Sequence, residues 1–166
     1  MSLNADFLRQ RSVVVVGGGS GIGRAVAQEA ADAGAQVYVL GRSPTASGPW
    51  QSLRADVTDS ASLDAAFAEI GRIDHLVLTA GARVGSPTLA AVEWADFERT
   101  FNVKLFGAVL AVRQALPYLA ADASVTFTSG LLSRKYGAGG LLKSTVNAAL
   151  EAAAKNLAKE LAPRRV

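Results

Sequence analysis

The residues best suited to chemistry lie in one run, Val16-Gly17-Gly18-Gly19-Ser20-Gly21-Ile22-Gly23. Glycine lets a backbone turn tightly and bring bare N–H groups against an anion. A helix that starts at such a turn adds its own unpaired N–H groups and a partial positive charge. Gly17, Gly19, Ser20, Gly21, Ile22 and Gly23 are therefore expected to hold the diphosphate of a nucleotide; the plainer alternative is that they only permit a strand-to-helix turn. Gly41-Arg42-Ser43 then follows a second apolar run, where a dinucleotide site would carry an acidic residue for the adenine ribose. A guanidinium at that place forms a charge-assisted fork with a 2′-phosphate, so NADP(H) is expected over NAD(H), unless Arg42 is an ordinary solvated loop arginine. The absence of cysteine excludes disulfides, thiolate zinc sites and thiol nucleophiles, and a single histidine, His75, is too little for a histidine metal site. No metal is expected, and His75, directly before Leu76-Val77-Leu78, reads as structural. Hydroxyls, amines, amides and a bound cofactor remain.

Such groups need elements to position them. Ser12-Val13-Val14-Val15-Val16 is short, β-branched and followed by glycine, the pattern of a strand buried on both faces of a parallel sheet. Ile22, Ala25, Val26, Ala30 and Ala33 recur at helical spacing, and Gly34 stops that helix. Val37 to Leu40 is a second strand, Ser43 to Pro49 a surface loop, and Ser52 to Ala55 a weak third strand. Thr58 or Asp59 caps a helix running to Ile70, and Ile73 to Thr79 forms the next strand. Glu93 to Leu119 reads as one long helix with Pro117 near its end, Ser124 to Thr128 as the fifth strand, and Gly140 to Leu161 as an alanine-rich helix that Pro163 terminates. Strands alternating with helices at these intervals predict right-handed βαβ units and a doubly wound parallel α/β sheet of order 3-2-1-4-5, with residues 1–166 forming one domain. There is no internal repeat.

The ordered spacing of Gly17…Gly21-Ile22-Gly23, Asp56-Val57, Leu78-Thr79-Ala80-Gly81 and Phe101-Asn102-Val103 resembles the short-chain dehydrogenase/reductase family, from Val13 to Val166. The resemblance implies a Rossmann fold, with Asp56 and Val57 against adenine, Thr79, Ala80 and Gly81 behind the cofactor, and Asn102 supporting a water-linked proton relay. Trp94 fits the start of the family's interface helix. Thr79 stands where asparagine is usual and Val16 where threonine is usual, substitutions expected to weaken local hydrogen bonding.

The chemistry implied by the resemblance is hydride transfer between nicotinamide and an alcohol or carbonyl, with a serine polarising the oxygen and a Tyr-x-x-x-Lys pair moving the proton. Registering the last helix on Glu151, Lys155, Leu157, Ala158, Glu160 and Leu161 puts Lys143 at the tyrosine position and Asn147 at the lysine position. Ser129 matches the serine, with the intervening loop one residue longer than in many relatives. A tyrosine shuttles protons because a neighbouring ammonium lowers its pKa toward the operating pH, which an uncharged Asn147 cannot do. A lysine titrates near pH ~10 unless burial or a cation depresses it. Tyr136 precedes the expected helix and should not share the orientation of Lys143. The catalytic set implied by the resemblance is thus Asn102, Ser129, Lys143 and Asn147, with Ser129 polarising the substrate oxygen and the others placing water or delivering the proton. Each has a plainer reading: Ser129 satisfying a strand end, Lys143 solvated in a first helical turn, Asn147 bonding backbone.

The leading expectation is an NADP-dependent oxidoreductase acting on a small carbonyl or alcohol, with an atypical proton relay. The alternative is a catalytically silent NADP-binding sensor or scaffold, and a third is a fragment whose main property is dimerisation through its long helices. Relatives of this type continue past the position of Val166 into a sixth strand, a Pro-Gly turn, a substrate-covering segment and a seventh strand. Strand five is therefore expected to be a sheet edge, a surface that invites association, so that either another chain covers it or the sequence is part of a longer protein. The resemblance implies a homodimer or homotetramer through the two long helices. Seventeen Lys+Arg against fourteen Asp+Glu give a net charge of +3 with no block of like charges, so no nucleic-acid partner is expected. Arg113 interrupts the longest apolar run before it reaches the ~18 residues of a membrane span, and no signal-peptide core precedes Arg9 and Arg11. No membrane partner and a cytoplasmic location follow as expectations.

Overall fold

The computed structural model describes residues 8–43 and 47–166. β1 (Ser12–Val16) is buried along its whole length and pairs in parallel with β2 (Gln36–Gly41) on one side and β4 (Ile73–Leu78) on the other. β3 (Gln51–Arg54) joins β2 and β5 (Leu119–Phe127) joins β4, so the sheet has five strands in the order β3-β2-β1-β4-β5. This is the doubly wound parallel sheet expected from the alternating pattern.

The valine run explains why β1 lies at the centre. Successive side chains of a strand point to opposite faces. Val13 and Val15 pack with Ala27 and Ala30 of α1 (Gly21–Asp32), whereas Val14 and Val16 enter the larger core on the other face. That core holds Leu63 and Phe67 of α2 (Ser60–Ile70), Val112 of α4 (Gly107–Ala115) and Leu150 of α5 (Leu141–Glu160). Full burial of one such side chain contributes roughly 1.5–3 kcal/mol, and the branched valine side chain suits the extended backbone.

Two elements depart from the pattern read off the sequence. The long helix expected from Glu93 to Leu119 is divided into α3 (Trp94–Phe101), a π turn over Asn102–Phe106, and α4. The Gly107 N–H bonds the Asn102 carbonyl five residues back, which widens the turn where Gly107 lies against Val57; a Cβ on Gly107 would sit 2.7 Å from Val57 Cγ2. α4 stops at Ala115, so Pro117 falls beyond the helix, and β5 begins at Leu119, five positions before the expected start. A register irregularity between Ile73 and His75 accommodates the extra length of β5. The outer edge of β5 is paired at one place: Arg165 donates to Ala123 O at 3.0 Å and accepts from Val125 N at 2.7 Å, a parallel bridge opposite Ser124.

Candidate functional site

Every parallel strand delivers its carboxyl end to the same side of the sheet, and at β1 and β4 the chain leaves in opposite directions across the sheet. A crevice at that switch point is where doubly wound sheets bind ligands. The glycine turn follows β1 there. Gly17 has φ +88° and Gly21 φ +53°, conformations that favour glycine. A Cβ on Gly17 would fall 2.6 Å from Ala80 N, and one on Gly23 would fall 2.4 Å from Thr79 Oγ1, so the turn is pressed against the end of β4. At Gly21 an added Cβ would meet nothing within 4 Å, so the outer side of the turn is open.

Thr79 closes the inner side. Its Oγ1 donates to Val16 O at 2.9 Å, and its N–H donates to the same carbonyl at 2.9 Å. The threonine hydroxyl thus ties the end of β4 to the end of β1. Ser20 is the N-cap of α1; its extended backbone precedes the helix and its side chain makes no capping bond. The N–H groups of Gly19 to Ile22 find no acceptor among the described residues. A backbone cradle with open donors and a helix N-terminus fits a diphosphate, the group a dinucleotide presents.

The remaining cofactor candidates surround this turn. Gly41 ends β2, with Arg42 and Ser43 exposed just beyond it. Asp56 Oδ1 accepts from Thr58 N at 2.9 Å and Thr58 Oγ1 at 2.8 Å. These bonds, with the Arg42 charge, outweigh burial and hold the Asp56 carboxyl below the usual range. Val57 is buried in the larger core, and Ala80 and Gly81 leave the end of β4.

A cleft of about 330 Å³ reaches Gly81, next to the Ala80 backbone against which the turn is pressed, and its lining includes Lys143 and Asn147. Lys143 Nζ donates to Ser86 Oγ at 2.8 Å. Asn147, one turn further along α5, is 4% exposed, and its Oδ1 has no hydrogen-bond partner. An orphaned buried acceptor is costly and rare, and here it borders a cleft.

Ser129 and Asn102 are placed differently. Ser129 follows β5, and its Oγ donates to Glu151 Oε1 at 2.9 Å, where Ser133 Oγ also donates at 2.5 Å. The two serines hold the Glu151 carboxyl below the usual range, with Arg134 and Lys155 assisting. Ser129 does not line the cleft, whereas the next residue, Gly130, does. Asn102 is exposed and opens onto a different cavity, about 750 Å³, beside Phe106, Val109, Arg113 and Ala153. Tyr136 is 80% exposed and donates to Ser133 O at 3.2 Å, away from the cleft.

Lys104 escaped the sequence reading. It lines the cleft with Lys143, and burial pushes its ammonium pKa down. The available signal was a lysine set among Val103, Leu105 and Phe106 in a helical segment. Its direction depends on the π turn, which no pattern announced. His75, by contrast, bonds Ser124 Oγ at 2.8 Å inside the sheet, and burial pushes its pKa down, as suits a structural histidine.

Known proteins share this architecture. The family model described as short chain dehydrogenase matches residues 11–166. The short-chain dehydrogenase/reductase ucsE of Acremonium sp is 34% identical over 189 residues, which span 98% of this chain and 72% of that protein. Thermoplasma acidophilum aldohexose dehydrogenase, solved in ligand-free form, superposes with a TM-score of 0.89 at 27% identity, over 95% of this chain and 64% of that one. A small-chain dehydrogenase solved in complex with NADPH superposes with a TM-score of 0.79 at 36% identity, over 94% of this chain and 67% of that one. The family match from residue 11 to residue 166, with a relative 34% identical over nearly the whole chain, shows that the chain belongs to the short-chain dehydrogenase/reductase family.

Proposed function

We propose that this protein is an NADP(H)-dependent oxidoreductase acting on a small carbonyl or alcohol, with a proton relay that lacks the usual tyrosine. The observation that carries this reading is the juxtaposition of an open diphosphate cradle with a cleft lined by Lys143 and Asn147. A bound nicotinamide supplies hydride exchange. Gly19 to Ile22 hold the diphosphate by main-chain donors, Arg42 takes the 2′-phosphate, and Asp56, Val57, Thr79, Ala80 and Gly81 form the wall behind it. Arg42 is exposed at the end of β2, where a guanidinium suits the fork such a phosphate needs, and an NADPH complex of a relative 36% identical supports the same choice over NAD(H). In the cleft Lys143 presents an N–H donor to a substrate oxygen, and the buried Asn147 acceptor orients an N–H or O–H placed there. Ser129, tied to Glu151, acts by fixing α5 against the end of β5, and Asn102 acts through its carbonyl, which accepts from Gly107 N and holds the π turn.

Fluorescence titration tests the coenzyme reading. NADPH should bind more tightly than NADH, with Arg42→Ala reducing the preference about tenfold or more, the scale of one charge-assisted phosphate contact. Equal affinities in the unmodified protein would remove the 2′-phosphate assignment.

A second reading, a catalytically silent NADP-binding sensor or scaffold, is favoured by the engagement of Ser129 with Glu151 and the absence of any tyrosine from the cleft lining. A carbonyl panel followed by NADPH absorbance separates the two. Turnover that falls in Lys143→Ala supports the enzyme; zero turnover that appears only in Lys143→Tyr/Asn147→Lys supports the sensor. For assembly, we propose a homodimer or homotetramer through the helices that border the 750 Å³ groove, where Phe106 and Val109 stand exposed. No helix among the described residues is long and apolar enough to cross a membrane, and a cytoplasmic setting belongs to the same proposal.

A further inference from the structure

The cleft has a charge pattern that the activity proposed above does not require. Lys104 and Lys143 both line it, and no carboxylate does. Among the described residues neither lysine forms an ion pair, and Lys143 is engaged only by the neutral Ser86 hydroxyl. Lys104 has lost part of its water to burial without a counter-charge in return, which is why its ammonium is less basic than usual. An anion entering the cleft would supply the missing partner. The buried, unpartnered Oδ1 of Asn147 adds a second requirement: the ligand must also carry a donor, such as a hydroxyl. The rest of the wall is largely apolar, with Val84, Leu131 and Leu132 beside the lysines.

We infer that this cleft selects a hydroxy acid and its oxo-acid counterpart with an apolar tail, the carboxylate held by Lys104 and Lys143, the hydroxyl donating to Asn147 Oδ1 and the tail against Val84, Leu131 and Leu132. The inference rests on the oxidoreductase reading and narrows its substrate class from small carbonyls and alcohols to those bearing a carboxylate. Two ammonium groups without an arginine fork suit a monoanion better than a phosphate dianion, which needs more donors.

Calorimetric titration of the full-length protein saturated with NADPH tests this, because a hydroxy acid and the reduced coenzyme cannot react with each other. The probes are 3-phenyllactate, which carries both groups, 3-phenylpropanoate, which lacks the hydroxyl, and 1-phenyl-2-propanol, which lacks the carboxylate. Phenyllactate should bind on the order of tenfold or more tighter than either relative, the scale of one charge-assisted contact. Lys104→Met should bring phenyllactate to the level of the alcohol while leaving the alcohol unchanged, and Lys104→Arg should keep the preference. Raising the salt concentration should weaken phenyllactate binding to the unmodified protein and spare the alcohol, a readout that survives if the variants do not fold. Equal affinity for acid and alcohol, or a preference that persists in Lys104→Met, overturns the inference. The same titrations without coenzyme keep the two proposals apart. Acid preference with no NADPH binding sinks the oxidoreductase reading alone, whereas NADPH binding with no acid preference sinks this inference alone.

Discussion

Gly17 and Gly21 look alike in sequence and differ physically. Both adopt positive φ, but Gly17 is walled in by the Ala80 backbone whereas Gly21 faces open space. Gly17→Ala therefore combines left-handed strain of about 1–2 kcal/mol with a backbone clash worth a further ~1–3 kcal/mol. Gly21→Ala carries only the strain. Thermal melts should show a severe loss for Gly17→Ala and a modest one for Gly21→Ala, and the latter should stay folded while binding NADPH at least tenfold more weakly, because its methyl group projects where a ligand would approach. A Gly21→Ala protein that binds NADPH normally would mean that the diphosphate does not sit on this turn.

At the scale of elements, the π turn is the device that aims side chains. It inserts one extra residue between α3 and α4, so Lys104 lines the cleft while Asn102 opens onto the groove beside α4 and α5. Gly107 permits it: a Cβ there would sit 2.7 Å from Val57 Cγ2 and 3.0 Å from Asn102 O. Gly107→Ala should cost about 1–3 kcal/mol in urea unfolding, typical of overpacking, and should lower coenzyme affinity because Val57 and the start of α4 must move apart. An alanine variant with unchanged stability and affinity would show that the close approach has no role.

Across the whole molecule, Asp74 ties the amino ends of the strands together. Its Oδ2 accepts from Ser12 N at 3.0 Å and Ser12 Oγ at 3.2 Å, while its Oδ1 accepts from Arg11 at 3.0 Å and Arg72 at 2.9 Å. Burial alone would raise the Asp74 pKa, but the Ser12 N–H and the two guanidinium groups prevail and hold it at about 2. The folded value lies below the unfolded one, so this stabilisation is complete above the ordinary carboxylate range and is lost as pH falls through about 2. The shift corresponds to about 2 kcal/mol. Urea titrations between pH 6 and pH 2 should show stability falling more steeply in the unmodified protein than in Asp74→Asn; parallel curves would contradict the assignment. The groove between α4 and α5 supports a different whole-molecule prediction. A carboxylate at Ala153, on the wall facing Phe106 and Val109, should shift an oligomer toward monomer in light scattering, because a buried unpaired charge is costly. An unchanged mass would place the interface elsewhere.

The strand order, the glycine turn and the helix that carries Lys143 and Asn147 were legible because they depend on local periodicity and on residue types with few physical alternatives. A short run of valines bounded by glycine suits a strand buried on two faces, and the glycines after it suit a tight turn that brings bare N–H groups against a ligand. Three features were settled by packing between distant segments. Glu151, twenty-two positions from Ser129, draws that hydroxyl toward α5. Val57 lies against Gly107, and the helix expected to be continuous is widened there. That widening brings Lys104 into the cleft that Lys143 and Asn147 share. A sequence records which side chains are present and how they recur, but the direction in which each one points is decided by what the rest of the chain places against it.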